Sequence, residues 1–177
     1  MQEIAMTILD IVQNAIRAKA TLIRIHIIDS FQNNKIHIEI SDNGCGMSQE
    51  MLEKVINPFF TTRTTRPIGL GIPMFKESVE ATGGTFSIHS QEGLGTTIIG
   101  VYTKDHLDTP PMGNLVETMI TLIQYDEHIR YVFKYQENDF EFDLDTLEIQ
   151  DILDDVPINQ PEIILWLKDY IKEGMRK

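Results

Sequence analysis

The chain has 177 residues, 42% hydrophobic, 24% charged and 8% aromatic, enough for one packed domain, or a domain with a small appendage, and too apolar for a disordered segment. A formal charge of −12 and a pI near 4.7 argue against binding to nucleic acid or to an anionic membrane surface. No apolar run approaches the ~18 residues of a membrane span, the first residues lack the positive charge of a secretory leader, and the single cysteine, Cys45, makes neither an internal disulfide nor a thiolate metal site; a cytoplasmic protein is expected.

The spacing of Ile4, Ile8, Ile11 and Ala15 predicts an amphipathic helix over Ile4–Ala18, with Asp10, Asn14 and Arg17 sharing a separate polar stripe. Two strands follow, Leu22–Ile28 and Lys35–Ile40, joined by the polar turn Asp29–Asn34. Ser48 is an N-cap for a short helix, Met51–Ile56, which Pro58 ends. Asn57–Gly69 holds two prolines and a Thr-Thr-Arg-Thr-Thr-Arg run, a long loop of the kind that forms functional lids. Leu70–Ala81 reads as a helix closed by Gly83-Gly84, and Thr85–Ser90 with Thr96–Tyr102 as a hairpin around Gly93-Leu94-Gly95.

Asp108-Thr109-Pro110-Pro111 marks a boundary in both turn chemistry and charge. Up to Asp105 nine basic residues face eleven acidic ones; from His106 onward six face sixteen. The two expected parts are therefore residues 1–105 and an acidic α/β appendage, 106–177, with a helix at Asn114–Gln124, a hairpin from Ile129–Tyr135 and Phe140–Phe142, and helical pieces from Leu144 and from Pro161 to Lys172. Such an acidic stretch is either a solvated face or a docking surface for a basic partner.

Asp42-Asn43-Gly44-Cys45-Gly46-Met47 lies after a strand and before a helix, where two glycines let the backbone approach a flat ligand closely. Asp42 would offer a carboxylate acceptor there. Alone, an ordinary strand-to-helix turn has the same residues. The turn is, however, one of five elements in order: the helix with Asp10 and Asn14, DNGCGM, Asn57-Pro58-Phe59-Phe60-Thr61-Thr62-Arg63, Gly69-Leu70-Gly71-Ile72, and Gly93-Leu94-Gly95-Thr96-Thr97. In this register residues 1–104 resemble the GHKL superfamily of histidine-kinase ATP-binding domains, gyrase-type topoisomerases, heat-shock chaperone ATPases and mismatch-repair ATPases.

The resemblance implies an α+β fold, the two-layer Bergerat sandwich in which helices cover one face of a mixed sheet, here with a small C-terminal α/β appendage. It also implies ATP and Mg²⁺ as ligands. Asn14 then matches the amide oxygen that ligates magnesium, a hard donor suited to that ion, and Arg17 a basic position facing phosphate. Asp42 matches the carboxylate that accepts the adenine amino group, with Gly44 and Gly46 letting the backbone reach the base and Met47 packing on it or in the core. Thr62 and Arg63 belong to the phenylalanine box at the base of the lid, with Arg63 directed at phosphate. Gly69, Leu70 and Gly71 match the glycine turn opening a helix, where free N–H groups favour phosphate oxygens. Thr96 or Thr97 matches the hydroxyl that holds an adenine-binding water.

Three departures shape the expected activity. Pro67 stands where the second glycine box usually begins, which removes a donor and stiffens the lid. Asp10 stands where histidine kinases carry Asn and the hydrolytic members and anti-sigma kinases carry Glu. It is open between a general base, a magnesium-shell or water-positioning group, and a plain surface acid. The chain also begins almost on the first box, with no helical hairpin carrying a phospho-accepting histidine before it. The expectation is a kinase acting in trans on a protein partner that docks through the acidic region; an ATP-responsive switch and a slow ATPase are the alternatives.

Overall fold

The protein is described here from a computed structural model covering residues 2–57 and 70–176. Its elements run α1 (Ile4–Arg17), β1 (Leu22–Ser30), β2 (Lys35–Asp42), α2 (Gln49–Ile56), α3 (Gly71–Ala81), β3 (Thr85–Gln91), β4 (Gly95–Thr103), α4 (Leu115–Tyr125), β5 (Arg130–Glu137), β6 (Phe140–Asp145), α5 (Thr146–Leu153) and α6 (Pro161–Gly174). The strands form one mixed sheet in the order β3-β4-β2-β1-β5-β6, antiparallel throughout except where β5 lies parallel to β1. This is the expected α+β sandwich. Among the described residues no helix is long and apolar enough to cross a membrane.

Side-chain alternation decides which face of the sheet the helices cover. Ile23, Ile25 and Ile27 on β1, Ile36, Ile38 and Ile40 on β2, and Tyr131, Phe133 and Tyr135 on β5 are all buried. Their neighbours His26, His37, Glu39, Val132 and Lys134 point to the opposite, barer face. The apolar stripe of α1 (Ile4, Ile8, Ile11, Ala15) is buried against this core, so the polar stripe with Asp10 and Asn14 faces elsewhere. Ser48 caps α2 by accepting the Met51 N–H at 3.2 Å, as its position before the helix predicts.

Residues beyond Asp105 are built onto the same sheet and the same core. β5 pairs with β1 from Leu22↔Arg130 to Asp29↔Glu137, and Leu115, Met119 and Leu122 of α4 join the isoleucines of α1 in one apolar cluster. The N-terminus of α1 depends on this segment, because the Ile4 and Ala5 N–H groups donate to the carbonyls of Pro111 and Met112 at 2.9 Å. Those are two of the donors a helix start leaves without an internal partner.

Several expected boundaries move by two residues or more, among them two strand ends. Asp29 and Ser30, read as part of a turn, extend β1, and Leu144, read as the start of a helix, belongs to β6, with α5 beginning at Thr146. The reason at Asp29 is a charge pair hidden from sequence spacing. The carboxylate faces the core side of the sheet at 8% exposure and is neutralised by Lys104 at the end of β4, whose ammonium also lies 3.5 Å from the Phe31 ring centre. Lys104→Ala should strand Asp29 as a buried lone charge and cost about 3 kcal/mol in urea unfolding. Adding Asp29→Ala should recover part of that loss, since removing both partners leaves no uncompensated charge.

Candidate functional site

β2 ends at Asp42, and the turn that follows folds across the C-terminal end of α1. The Cys45 N–H donates to the Ala18 carbonyl at 2.8 Å, and the Ala18 N–H donates to the carbonyl of Asn14 at 2.9 Å. Asn43 fastens the turn to the α1–β1 connection: its Oδ1 accepts the N–H groups of Thr21 and Leu22, and its Nδ2 donates to Thr21 Oγ1, all at 2.9 Å. On the other side the turn rests on the β3–β4 hairpin. The Gly93 N–H donates to the Cys45 carbonyl and the Met47 N–H to Ser90 Oγ, each at 2.8 Å. Ser90 in turn donates to the Gly95 carbonyl at 3.1 Å and lies 2.8 Å from Thr96 Oγ1.

Glycine is obligatory at two points of this seat. Gly46 has φ +66°, and a Cβ there would stand 1.9 Å from the Gln91 carbonyl oxygen. Gly95 has φ +115°, and a Cβ there would meet the Asp42 carbonyl oxygen at the same distance. The two main chains therefore touch with nothing between them.

Asp42 is half-buried by this packing. Its Oδ1 accepts the Gly44 N–H at 2.8 Å, and the Thr96 backbone N–H is a second donor. Burial holds the carboxyl above its ordinary value, outweighing the two N–H donors that pull it down. The native state thus binds that proton more tightly than the unfolded chain. Asp42 therefore costs stability as pH rises through this raised range.

The polar stripe of α1 leads away from the turn. Arg17 Nη1 donates to Asn14 Oδ1 at 3.4 Å, and one turn earlier Asp10 Oδ2 accepts Gln2 Nε2 at 3.0 Å. The start of α3 closes on the same point: a Cβ on Gly71 would lie 3.2 Å from the Asp10 Cβ. Among the described residues no side chain caps the first turn of α3, and its N-cap, Leu70, is exposed.

Residues 2–105 match the family described as histidine kinase-, DNA gyrase B- and HSP90-like ATPases. The chain belongs to this family. Within its GHKL region it is 33% identical over 90 residues to the sensor histidine kinase ZraS of Escherichia coli strain K12, covering 51% of this chain and 19% of that protein. It is 31% identical over 108 residues to the signal transduction histidine-protein kinase AtoS of the same strain, covering 60% and 17%. The chain thus spans less than a fifth of the length of these curated relatives. The ATPase domain of Aquifex aeolicus MutL, solved in complex with ADP, shares the fold with a TM-score of 0.53 at 14% identity, over 86% of this chain and 69% of that one.

Of the expected residues, Asp42, Gly44, Gly46 and Thr96 meet at the turn, Asn14 and Arg17 pair on α1, and Gly71, next to Leu70, approaches Asp10. Thr62, Arg63 and Gly69, with Phe59, Phe60 and Pro67, lie outside the described residues. The two candidate threonines separate. Thr96 pairs with Asp42 and shares the helix-covered face with Ile98, whereas Thr97 pairs with Ser41 and His89 on the opposite face. Met47 is partly buried against the core. His26, His37 and His89 are strand residues of the barer face, away from the site.

Asn43 and Gly95, quoted within the boxes but given no role there, hold the Asp42 turn, as does Ser90, while Gln2 holds Asp10; neither Ser90 nor Gln2 was among the expected residues. Asn43 had a signal, an Asx side chain in a turn; Ser90 and Gln2 reach the site only through strand pairing and helix packing. A cavity of about 270 Å³ opens beside Asp10, which lines it together with Gln2, Gly71, Glu77, Ser78 and Asp108 among others. Asp42 and Asn14 are not in its wall. Gly46→Ala should cost about 2 kcal/mol or more in urea unfolding, since backbone strain and the clash with Gln91 add.

Proposed function

We propose that the chain binds Mg-ATP at this site and transfers the γ-phosphoryl group to a partner protein, acting in trans. The observation that supports this most is the polar stripe of α1, which connects the Asp42 turn to the start of α3. At ~1.5 Å per residue, the stretch from Ala18 to Asp10 covers ~12 Å, a length that a nucleoside triphosphate spans.

In this reading Asp42 accepts a hydrogen bond from the adenine amino group. Guanine presents a carbonyl there, which a buried carboxylate repels, so the site selects adenine. Asn14 Oδ1 and Asp10 offer one or two hard oxygens, which suits an ion that keeps waters and takes its other ligands from phosphate. When bound, Mg²⁺ supplies charge neutralisation along the triphosphate. Arg17, paired with Asn14, is assigned to the phosphates, and the N–H groups at the start of α3 favour the same anion.

Asp10 is assigned the proton. Gln2 engages one carboxylate oxygen, and the other is assigned to the reacting end. As the acceptor oxygen or nitrogen of the partner bonds to the γ-phosphorus and the bond to ADP breaks, the acceptor's proton passes to Asp10. Positioning and charge do the rest. Residues 106–177, an extension of the sheet, serve as the docking region, and the ATP requirement agrees with residence in the cytoplasm.

Thermal unfolding with and without nucleotide tests the reading. Mg-ATP at a hundredfold excess over Kd should add about 2.7 kcal/mol, or roughly 5–10 °C in Tm, and GTP far less. Asp42→Asn should remain folded and lose the ATP shift. Asn14→Ala should lose the magnesium-dependent part of it. Asp10→Asn should keep the shift but abolish transfer of labelled γ-phosphate to protein in a cell lysate. No shift with ATP removes the proposal; a shift without transfer by the wild-type chain leaves the ATP-responsive switch or the slow ATPase.

A further inference from the structure

α6 carries an aromatic ridge that the ATP site does not use. Its inner face, Ile164, Leu167 and Ile171, is buried. On the outer face Trp166 and Tyr170 stack with ring centres 5.3 Å apart and planes 18° from parallel, yet they remain 49% and 44% exposed. Tyr170 is fixed from below by Phe142 of β6, centre to centre 6.1 Å. The pair is therefore held in place before any partner arrives, which lowers the ordering cost of binding. Half-exposed Trp and Tyr are the side chains that anchor protein interfaces.

The charges around the ridge specify its partner. At 3.6 residues per turn, Glu162 and Asp169 share the outer face with Trp166. Among the described residues neither has an ion-pair partner, while Lys168 is turned to Glu117 and Arg176 to Glu173. We infer that this face of α6 is a docking site for an arginine-bearing basic segment of a partner protein. A guanidinium lying on the indole face gains a cation–π contact and meets a carboxylate with its planar fork. A second copy of this chain fits poorly, since a two-fold contact would set Glu162 and Asp169 against their own equivalents. The inference rests on the reading that the chain engages a protein partner, and adds where and with what chemistry.

Trp166 is the single tryptophan, so the intact chain reports on this face by its own fluorescence. A short peptide alternating Arg and Ala should change the emission saturably, and its Glu-for-Arg counterpart should not. With the Arg peptide labelled and followed by anisotropy, Trp166→Ala/Tyr170→Ala should weaken binding about tenfold without any change in charge. Glu162→Lys/Asp169→Lys should do the same, while Asp139→Lys/Glu141→Lys on the β5–β6 hairpin should change it less than about twofold. Equal weakening by both charge reversals, no effect of the aromatic pair, or dimerisation of the chain that Trp166→Ala abolishes would each overturn the inference. Unchanged stabilisation by Mg-ATP in the α6 variants shows that they fold, and its absence in the wild-type chain would sink the nucleotide reading alone.

Discussion

The site depends on a wedge of backbone: the Gly44–Gly46 turn, held between the last carbonyl of α1 and the β3–β4 hairpin. One hydrogen bond fixes it to Ala18, one to Gly93 and one to Ser90, and two contacts without side chains, at Gly46 and Gly95, let the main chains touch. Because the wedge touches α1, β2 and the hairpin at once, it sets three things together. It half-buries Asp42, aims its carboxylate through the Gly44 and Thr96 N–H groups, and brings the polar stripe of α1 alongside. The orientation of Asp42 is thus enforced by main chain, which has few alternative states. A group positioned this way needs little reorganisation to meet a ligand.

The same logic extends to the other end of α1. Asp10 lies midway along α1, and the N-terminus of that helix is held by the carbonyls of Pro111 and Met112 and by Thr118, whose hydroxyl donates to the Ala5 carbonyl at 3.4 Å. α6 packs on α4, and α4 packs on α1. The acidic segment is therefore a structural support for the helix that carries Asp10 and Asn14. Any force a partner applies at α6 has two helix contacts to cross before it reaches that helix.

The helix and strand periods were legible from the sequence wherever one face is buried. Ile4, Ile8, Ile11 and Ala15 mark the core stripe of α1, and Ile36, Ile38 and Ile40 the inner face of β2, because burial selects those residues at those intervals. Local chemistry was legible too, as in the Ser48 cap. What could not be read was long-range pairing. Nothing near Asp29 announces Lys104, seventy-five positions away, so a polar strand end looked like a turn. The choice between Thr96 and Thr97 depends on which face of β4 turns to the helices, which the register with β2 decides. Likewise the joining of β5 to β1 is a pairing across a long connection, and a charge shift at Asp105 cannot reveal it.

A protein of net charge −12 proposed to bind a polyanion raises an electrostatic question, and the strand order answers it. The acid is concentrated after residue 105, where the surface is built by β5, β6, α5 and α6. Asp42 lies on β2, three strands from β6 in the order β2-β1-β5-β6, or ~14 Å at ~4.8 Å per strand. That exceeds the ~8 Å over which salt screens exposed charges at physiological ionic strength. Most of the acidic surface thus acts weakly on the site, while the nearer charges are mixed. Asp108 is the exception, since it lines the cavity beside Asp10. Segregating the acid to one edge of the sheet would let one chain carry the proposed anion site at one end and the proposed acidic docking face at the other, with neither field cancelling the other.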